Sequence, residues 1–175
     1  MFEREPQRIH AAPGDRALAS EHIGSTSVPG LAAKPIIDIM LTLADCANEP
    51  ACVPDLEATG YVLRIREPDG TGDSPFDGTI PLREFKGSEI DLNPHVWSSG
   101  SPEIDRHCAF HDWLQSHPYD RILYERTRLE LAAPAWGSVQ QYADAKTTVI
   151  EDIRNRAAQA EDVRRDDSGI MRPSP

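Results

Sequence analysis

The pattern of apolar and polar positions divides the chain into a first half with strand-like runs and a second half with helical periodicity. The strongest strand signal is the stretch 35–43, where a nearly continuous apolar run is interrupted by one charge, Asp38. Such runs are typical of strands covered on both faces. Further strands are predicted at 17–23, 61–67 and 89–97, and helices at 2–12 and 49–59.

The run 89–97 alternates between apolar and polar positions, as a strand with one covered face does. Pro94 interrupts it, and because proline cannot donate a ladder hydrogen bond, an edge strand or a bulged strand is expected. If this strand lies beside the 35–43 strand, its polar side chains could converge on Asp38; the alternative is a solvated strand face. Those side chains are Asp91, Asn93 and His95.

Helices follow at 101–116, at 118–132 and from about residue 138, the last with apolar side chains at i, i+3, i+4 and i+7 spacing. Pro102 is expected at the first helical position of the first of these helices, and Pro118 is expected to open the second. From residue 161 the chain is polar, and we expect a disordered tail over 161–175. Strands that precede helices indicate an α+β fold with a mixed sheet flanked by helices and a C-terminal helical segment. Residues 1–160 are predicted to form one domain.

The composition narrows the function classes. A net charge of −11 argues against general nucleic-acid binding, although a local pocket for a small anion stays possible. The three cysteines show no metal-binding or redox spacing, and packing explains them best. With no apolar run long enough for a membrane span and no signal peptide, a cytoplasmic location is expected and no membrane partner.

A Gly-Ser turn follows the 17–23 strand and is the first candidate site. Backbone N–H groups and hydroxyls at such a turn suit an anion, although a plain turn is the commoner outcome. The side chains and glycine proposed here to bind substrate or phosphate are His22, Gly24, Ser25, Thr26 and Ser27.

Three charged residues are the second set of candidates. Lys34 lies four positions before Asp38, and residues four apart in a strand point to the same face. A carboxylate in an apolar strand is costly unless it is paired or binds a cation, so Asp38 is either functional or part of a structural ion pair. Lys146 falls within an apolar helical stripe, where it either reaches solvent along its stem or faces a ligand.

A resemblance to the GrpB family is carried by the run 21–39, with the sequence EHIGSTSVPGLAAKPIIDI. It continues through His95-Val96, PEIDR at 102–106, DWL at 112–114, His117-Pro118, LYER at 123–126 and YADAK at 142–146, and spans roughly residues 2–157. Compared with the family pattern, the chain begins late, without the leader segment expected there. Similar domains also occur fused behind dephospho-CoA kinase, but the chain has no Walker phosphate loop, and kinase activity is not expected.

The resemblance implies a nucleotidyltransferase-like fold. In that superfamily a Gly-Ser turn precedes an acidic pair that holds two metal ions. In this chain Gly24-Ser25 and Asp38 match the pattern, but Met40 stands at the second acidic position. A thioether is a poor ligand for Mg²⁺. Implied catalytic residues are Asp38, Asp91 and His95, with Mg²⁺ on Asp38 and Asp91. Implied substrate- or phosphate-binding residues are His22, Gly24, Ser25, Thr26, Ser27, Lys34, Asn93 and Lys146.

Two main functions follow. The first is Mg²⁺-dependent nucleotidyl or phosphoryl transfer from a nucleoside triphosphate to an unidentified acceptor. The second, suggested by Met40, is a module without catalytic activity that binds a small anionic ligand or nucleotide, or assists an unidentified protein partner. A relic without function is the third alternative.

Overall fold

The computed structural model describes residues 4–67, 80–87, 91–131 and 148–160. It divides into two compact units, residues 1–105 and 106–175, and each is described by itself. The first unit contains a five-stranded mixed sheet, which confirms the α+β prediction. Its strands are β1 (Ala17–Ile23), β2 (Ile37–Leu43), β3 (Val62–Glu67), β4 (Leu82–Lys86) and β5 (Leu92–Ser98).

The sheet order is β1-β2-β5-β4-β3. Strand β2 is antiparallel to β1 and parallel to β5, while β4 is antiparallel to both β5 and β3. A parallel pair needs a long connection, and here that connection contains β3, β4 and a helix. The helices of this unit are α1 (Arg4–Ala11), α2 (Val53–Ala58) and the start of α3 (Pro102–Ser116).

One face of the sheet forms the main core. Alternate residues of β2, among them Ile39 and Leu41, are fully buried in one cluster with Ile9 of α1 and Leu56 of α2. Met40, which alternation places on the opposite face, is only 1% exposed. Strand β2 is therefore largely covered on both faces, as its apolar run predicts, and Asp38 is the charge that this environment must accommodate.

Strand β5 lies between β2 and β4, so the prediction of an edge strand is wrong. The N–H of Ile37 donates to the carbonyl of Asp91, which places the odd-numbered residues of this run in the ladder with β2. The N–H of Gly87 donates to the carbonyl of Leu92, so the even-numbered residues turn toward β4. Pro94 therefore turns its nitrogen toward β4, and the β4 ladder ends one residue short of it. The missing donor is accommodated by a gap in one ladder.

Strand β2 begins at Ile37, two residues later than predicted. The N–H of Ile36 bonds to the carbonyl of Lys34 at 2.7 Å, which closes a tight turn around Pro35. Lys34 precedes this turn and is exposed. The expectation that Lys34 shares a strand face with Asp38 is wrong, because strand alternation does not extend through the turn.

The second unit is helical where it is described. It contains most of α3, then α4 (Pro118–Leu131) and residues 148–160, here called α5. Buried Asp120 joins the three helices, since it accepts a 2.6 Å hydrogen bond from Trp113 Nε1 and two from Arg156 at 2.8 and 3.1 Å. Pro102 and Pro118 stand at the first helical positions of α3 and α4, as predicted. The predictions for 132–147 and 161–175 lie outside the described residues.

No helix in the described ranges is long and apolar enough to span a membrane.

Glu49 of the first unit offers a test of how burial sets the strength of an ion pair. Its carboxylate accepts hydrogen bonds from Arg83 Nε at 2.6 Å and from Arg66 Nε at 2.5 Å. The side chain of Arg83 is 7% exposed, whereas that of Arg66 is 53% exposed. Arg83 also donates to the carbonyls of Glu67 and Leu82. We expect Arg83→Met to lower the free energy of unfolding by about 3 kcal/mol, and Arg66→Met by less than about 1 kcal/mol. Urea denaturation measures both, and equal losses would contradict this account.

Candidate functional site

The candidate site is centred on the carboxylate of Asp38. In the parallel pair Asp38 lies beside Asn93, and Asn93 Nδ2 donates to Asp38 Oδ1 at 2.9 Å. The amide oxygen of Asn93 accepts from Lys86 Nζ at 3.3 Å, so both ends of the amide have partners that fix its orientation. Asp38 is thereby held by a neighbouring strand and is 27% exposed.

His95 stands between two carboxylates. Its Nε2 lies 3.5 Å from Asp38 Oδ1, and its Nδ1 lies 3.4 Å from Glu84 Oε2. The Nδ1 contact falls within ion-pair distance but lacks the geometry of a hydrogen bond. Strand register explains the arrangement, because Glu84 on β4 and Met40 on β2 are the cross-strand neighbours of His95. The result is a row of carboxylate, imidazole and carboxylate across three strands.

Glu84 is a site residue that the sequence pattern did not single out. Burial raises the pKa of its carboxyl group, and the charge of Asp38 raises it further, while His95 and Lys86 act in the opposite direction. Glu84 therefore holds its proton to a higher pH than an ordinary glutamate. The stretch 80–88 carries no strand prediction, so nothing placed Glu84 on a common face with His95.

Gly24 packs directly against Asp38. It has a positive φ of 75°, and a Cβ built on it would lie 2.4 Å from Asp38 Oδ2. Only glycine satisfies both the backbone conformation and the close approach. The turn after β1 and the carboxylate of β2 thus form one packed unit.

The turn residues Ser25–Ser27 form a single 3₁₀ turn. Ser27 Oγ donates to the Gly24 carbonyl at 2.6 Å, and Thr26 Oγ1 donates to the Ile36 carbonyl at 3.0 Å. His22 Nε2 lies 3.0 Å from Thr26 Oγ1, and since that hydroxyl already donates elsewhere, His22 is the donor. These groups attach the turn to the start of β2, a role that plain turns also show.

The structure brings together four of the predicted site residues: Gly24, Asp38, Asn93 and His95. Asp91 lies one residue before β5, is 56% exposed and forms an ion pair with Lys86, through which it is linked to Asn93. Lys34 lies in the exposed segment before β2, and Lys146 lies outside the described residues.

The residues expected to hold Mg²⁺ are Asp38 and Asp91, and Mg²⁺ is usually bound through one or two carboxylates with water and substrate phosphates as its further ligands. In the described structure each of these carboxylates is engaged by another side chain. Across the described ranges, no group of three His, Cys, Asp or Glu side chains is placed to hold one metal ion. Asp38 Oδ1 accepts from an amide N–H, and beside Asp38 on the same strand face stands buried Met40. Asp91 pairs with Lys86.

Comparison with known proteins agrees with the sequence motif. The family model described as GrpB protein matches residues 1–156. The chain belongs to the GrpB family. UPF0157 protein BH1888 of Halalkalibacterium halodurans is 50% identical over 157 residues, which cover 90% of this chain and 76% of that protein. UPF0157 protein SCO7215 of Streptomyces coelicolor is 39% identical, over 80% of this chain and 69% of that protein.

A solved structure supports the same assignment. The crystal structure of the conserved protein GrpB from Enterococcus faecalis is similar to this chain with a TM-score of 0.72 and 28% sequence identity. The match covers 91% of this chain and 92% of that one. The GrpB fold therefore extends over nearly the whole chain.

The packing of Gly24 against Asp38 can be tested with alanine. Gly24→Ala adds a Cβ that overlaps Asp38 Oδ2 and also strains a positive φ, and we expect a loss of about 3 kcal/mol in the free energy of unfolding. Gly30→Ala is a control for a positive φ without the overlap, because Gly30 has a φ of 77° but no atom within 4 Å of its Cβ position, whereas Gly24 also has a ψ of −173°, a conformation essentially limited to glycine. It should lose only about 1 kcal/mol. Equal losses in urea denaturation would show that strain alone requires Gly24.

The raised pKa of Glu84 predicts a pH dependence of stability. A carboxyl group with a raised pKa binds its proton more tightly in the folded state, so the contribution of Glu84 to wild-type stability falls as pH rises above the ordinary value of 4.5. Glu84→Gln removes this titration. The free energy of unfolding of the variant relative to wild type should therefore increase from pH 4.5 toward neutrality. Glu57→Gln, at an exposed position in α2, serves as the control, and a pH-independent difference for Glu84→Gln would contradict the prediction.

Proposed function

We propose that this GrpB-family protein binds a small polar ligand, with a nucleotide as the first candidate, on the sheet face that carries Asp38. Binding occurs without metal-dependent transfer chemistry. The observation that supports this is the environment of the Asp38 carboxylate, which Asn93 and His95 hold in place and Gly24 packs against. A fixed, partly exposed carboxylate is a preorganised acceptor for donor groups of a ligand.

The charges around Asp38 select the part of the ligand that contacts it. Among the described residues, the acidic side chains Asp38, Glu84 and Asp91 lie near the basic side chains Lys86 and His95. A free phosphate placed beside Asp38 meets the negative charge of that carboxylate, whereas hydroxyl or amino groups donate to it. In a nucleotide the ribose hydroxyls have this property.

The phosphates of such a ligand are assigned to the neighbouring turn, away from the carboxylates. The 3₁₀ turn of Ser25–Ser27 is joined to the start of β2 by the bond between Thr26 and Ile36. Exposed Lys34 lies two residues before Ile36 and supplies a positive charge to this side. Backbone N–H groups and one lysine suit a phosphate group better than the carboxylate face does.

Transfer chemistry is the less favoured function because of Met40. Metal-dependent phosphoryl transfer relies on ions that neutralise charge on the transferred group. Met40 is the cross-strand neighbour of His95 and lies two residues from Asp38, where it contributes a thioether instead of a carboxylate. The described residues therefore favour binding of a ligand without reaction, rather than its chemical conversion.

Calorimetric titration tests the proposal directly. We expect ATP, GTP, CTP or UTP to bind with an affinity that is the same in EDTA as in Mg²⁺. Asp38→Asn replaces the charged acceptor with a neutral amide and should weaken binding by about tenfold or more. Asp15→Asn, an exposed aspartate in the turn before β1, makes the same chemical change away from the site and should leave affinity unchanged.

Two results would contradict this function. The first is the absence of heat with all four nucleotides. The second is release of pyrophosphate that requires both Mg²⁺ and Asp38, because that outcome favours the transferase. Far-ultraviolet circular dichroism and a urea unfolding curve of Asp38→Asn separate loss of binding from loss of the fold.

A further inference from the structure

The second unit contains a cluster of two arginines and two aromatic rings that the proposed function does not use. Phe110 of α3 and Tyr124 of α4 pack edge to face, with ring centroids 5.4 Å apart and planes at 87°. Arg128 Cζ lies 5.5 Å from the centroid of Tyr124, and Arg154 Cζ of α5 lies 5.8 Å from that of Phe110. We call these four residues the arginine–aromatic cluster.

Each arginine has an enclosed nitrogen for which the described residues supply no hydrogen-bond partner. The atoms are Nη1 of Arg128 and Nε of Arg154, each buried from solvent, while both side chains remain partly exposed. Buried donors in native proteins are nearly always satisfied, and leaving one unsatisfied costs free energy. An acceptor that the described residues do not supply would satisfy these donors.

Neighbouring arginines show which groups serve as partners of a guanidinium group in this unit. Arg126, on the same helix as Arg128, lies 3.6 Å from Glu130, and both of those side chains are more than 60% exposed. Arg156, two residues after Arg154, makes two hydrogen bonds to Asp120. In both cases an anionic oxygen is the partner, which is the acceptor that a guanidinium group prefers.

We propose that the arginine–aromatic cluster binds a phosphate-bearing small molecule through Arg128 and Arg154. The aromatic rings hold the guanidinium groups by cation–π contact and shield them from water, so an anion that enters meets oriented and weakly hydrated donors. Phosphate presents three oxygens and can accept from a planar guanidinium group in pairs. This site is separate in sequence from the Asp38 face and does not depend on the function proposed there.

Titration with pyrophosphate tests the proposal, and substitution of Arg128 or Arg154 separates this site from the turn at Ser25–Ser27, where the proposed function places phosphates. We expect wild type to bind it, with affinity that falls as salt is raised. Arg128→Gln and Arg154→Gln should each weaken binding by about tenfold or more, and the double variant should abolish it. Arg126→Gln is the matched control on α4 and should bind as wild type does.

Absence of pyrophosphate binding to wild type would overturn the proposal. Equal binding by Arg128→Gln and Arg126→Gln would also overturn it, because an internal water would then be the partner of these donors. Urea unfolding of each variant checks that the unit is folded. If both glutamine variants unfold, Arg128→Lys and Arg154→Lys provide the second arm. The lysine variants keep the positive charge but lose the planar guanidinium group. If they are folded, weakened pyrophosphate binding supports the site, whereas unchanged binding overturns it.

Discussion

The hydrogen bond between Asn93 and Asp38 is the interaction on which the candidate site depends. A carboxylate within an apolar strand is tolerated only if its charge is matched by nearby donors. Here the donors come from the next strand, so the position of Asp38 is fixed by the register of the parallel pair. The same constraint requires Gly24, because any larger residue would occupy the space of the carboxylate. One partly exposed charge thus connects a turn, a strand pairing and the position of a histidine.

Much of this architecture could be predicted from local patterns. The apolar run around Asp38 indicated a strand covered on both faces, and Pro102 and Pro118 marked the starts of two helices. The GrpB motif at 21–39 indicated the family, and the alternation at 89–97 grouped Asn93 with His95. Each of these signals lies within a few residues of the feature it predicts, which is why periodicity and capping rules detect it.

The features that were missed depend on distant parts of the chain. Pro94 was expected at an edge because its missing donor is visible in the sequence, whereas the ladder gap that accommodates it depends on where β4 ends. Glu84 belongs to the site only because β4 pairs with β5, a pairing without local signal. Lys34 was placed on the strand because the bond that closes the turn at Pro35 cannot be inferred from alternation. Register and turn geometry are tertiary properties, and single-sequence patterns do not specify them.

The parallel pairing of β2 with β5 has a consequence for the order of folding. Asp38 and Asn93 are 55 positions apart, and β3 and β4 lie between them in the chain. Closing so long a loop is slow, and during synthesis a chain that has reached β3 holds Gly24 and Asp38 but neither Asn93 nor His95. The candidate site therefore comes into existence only when β5 has joined the sheet. A ligand of the kind proposed would recognise the finished sheet and not its parts, and by mass action it would stabilise the whole sheet against opening.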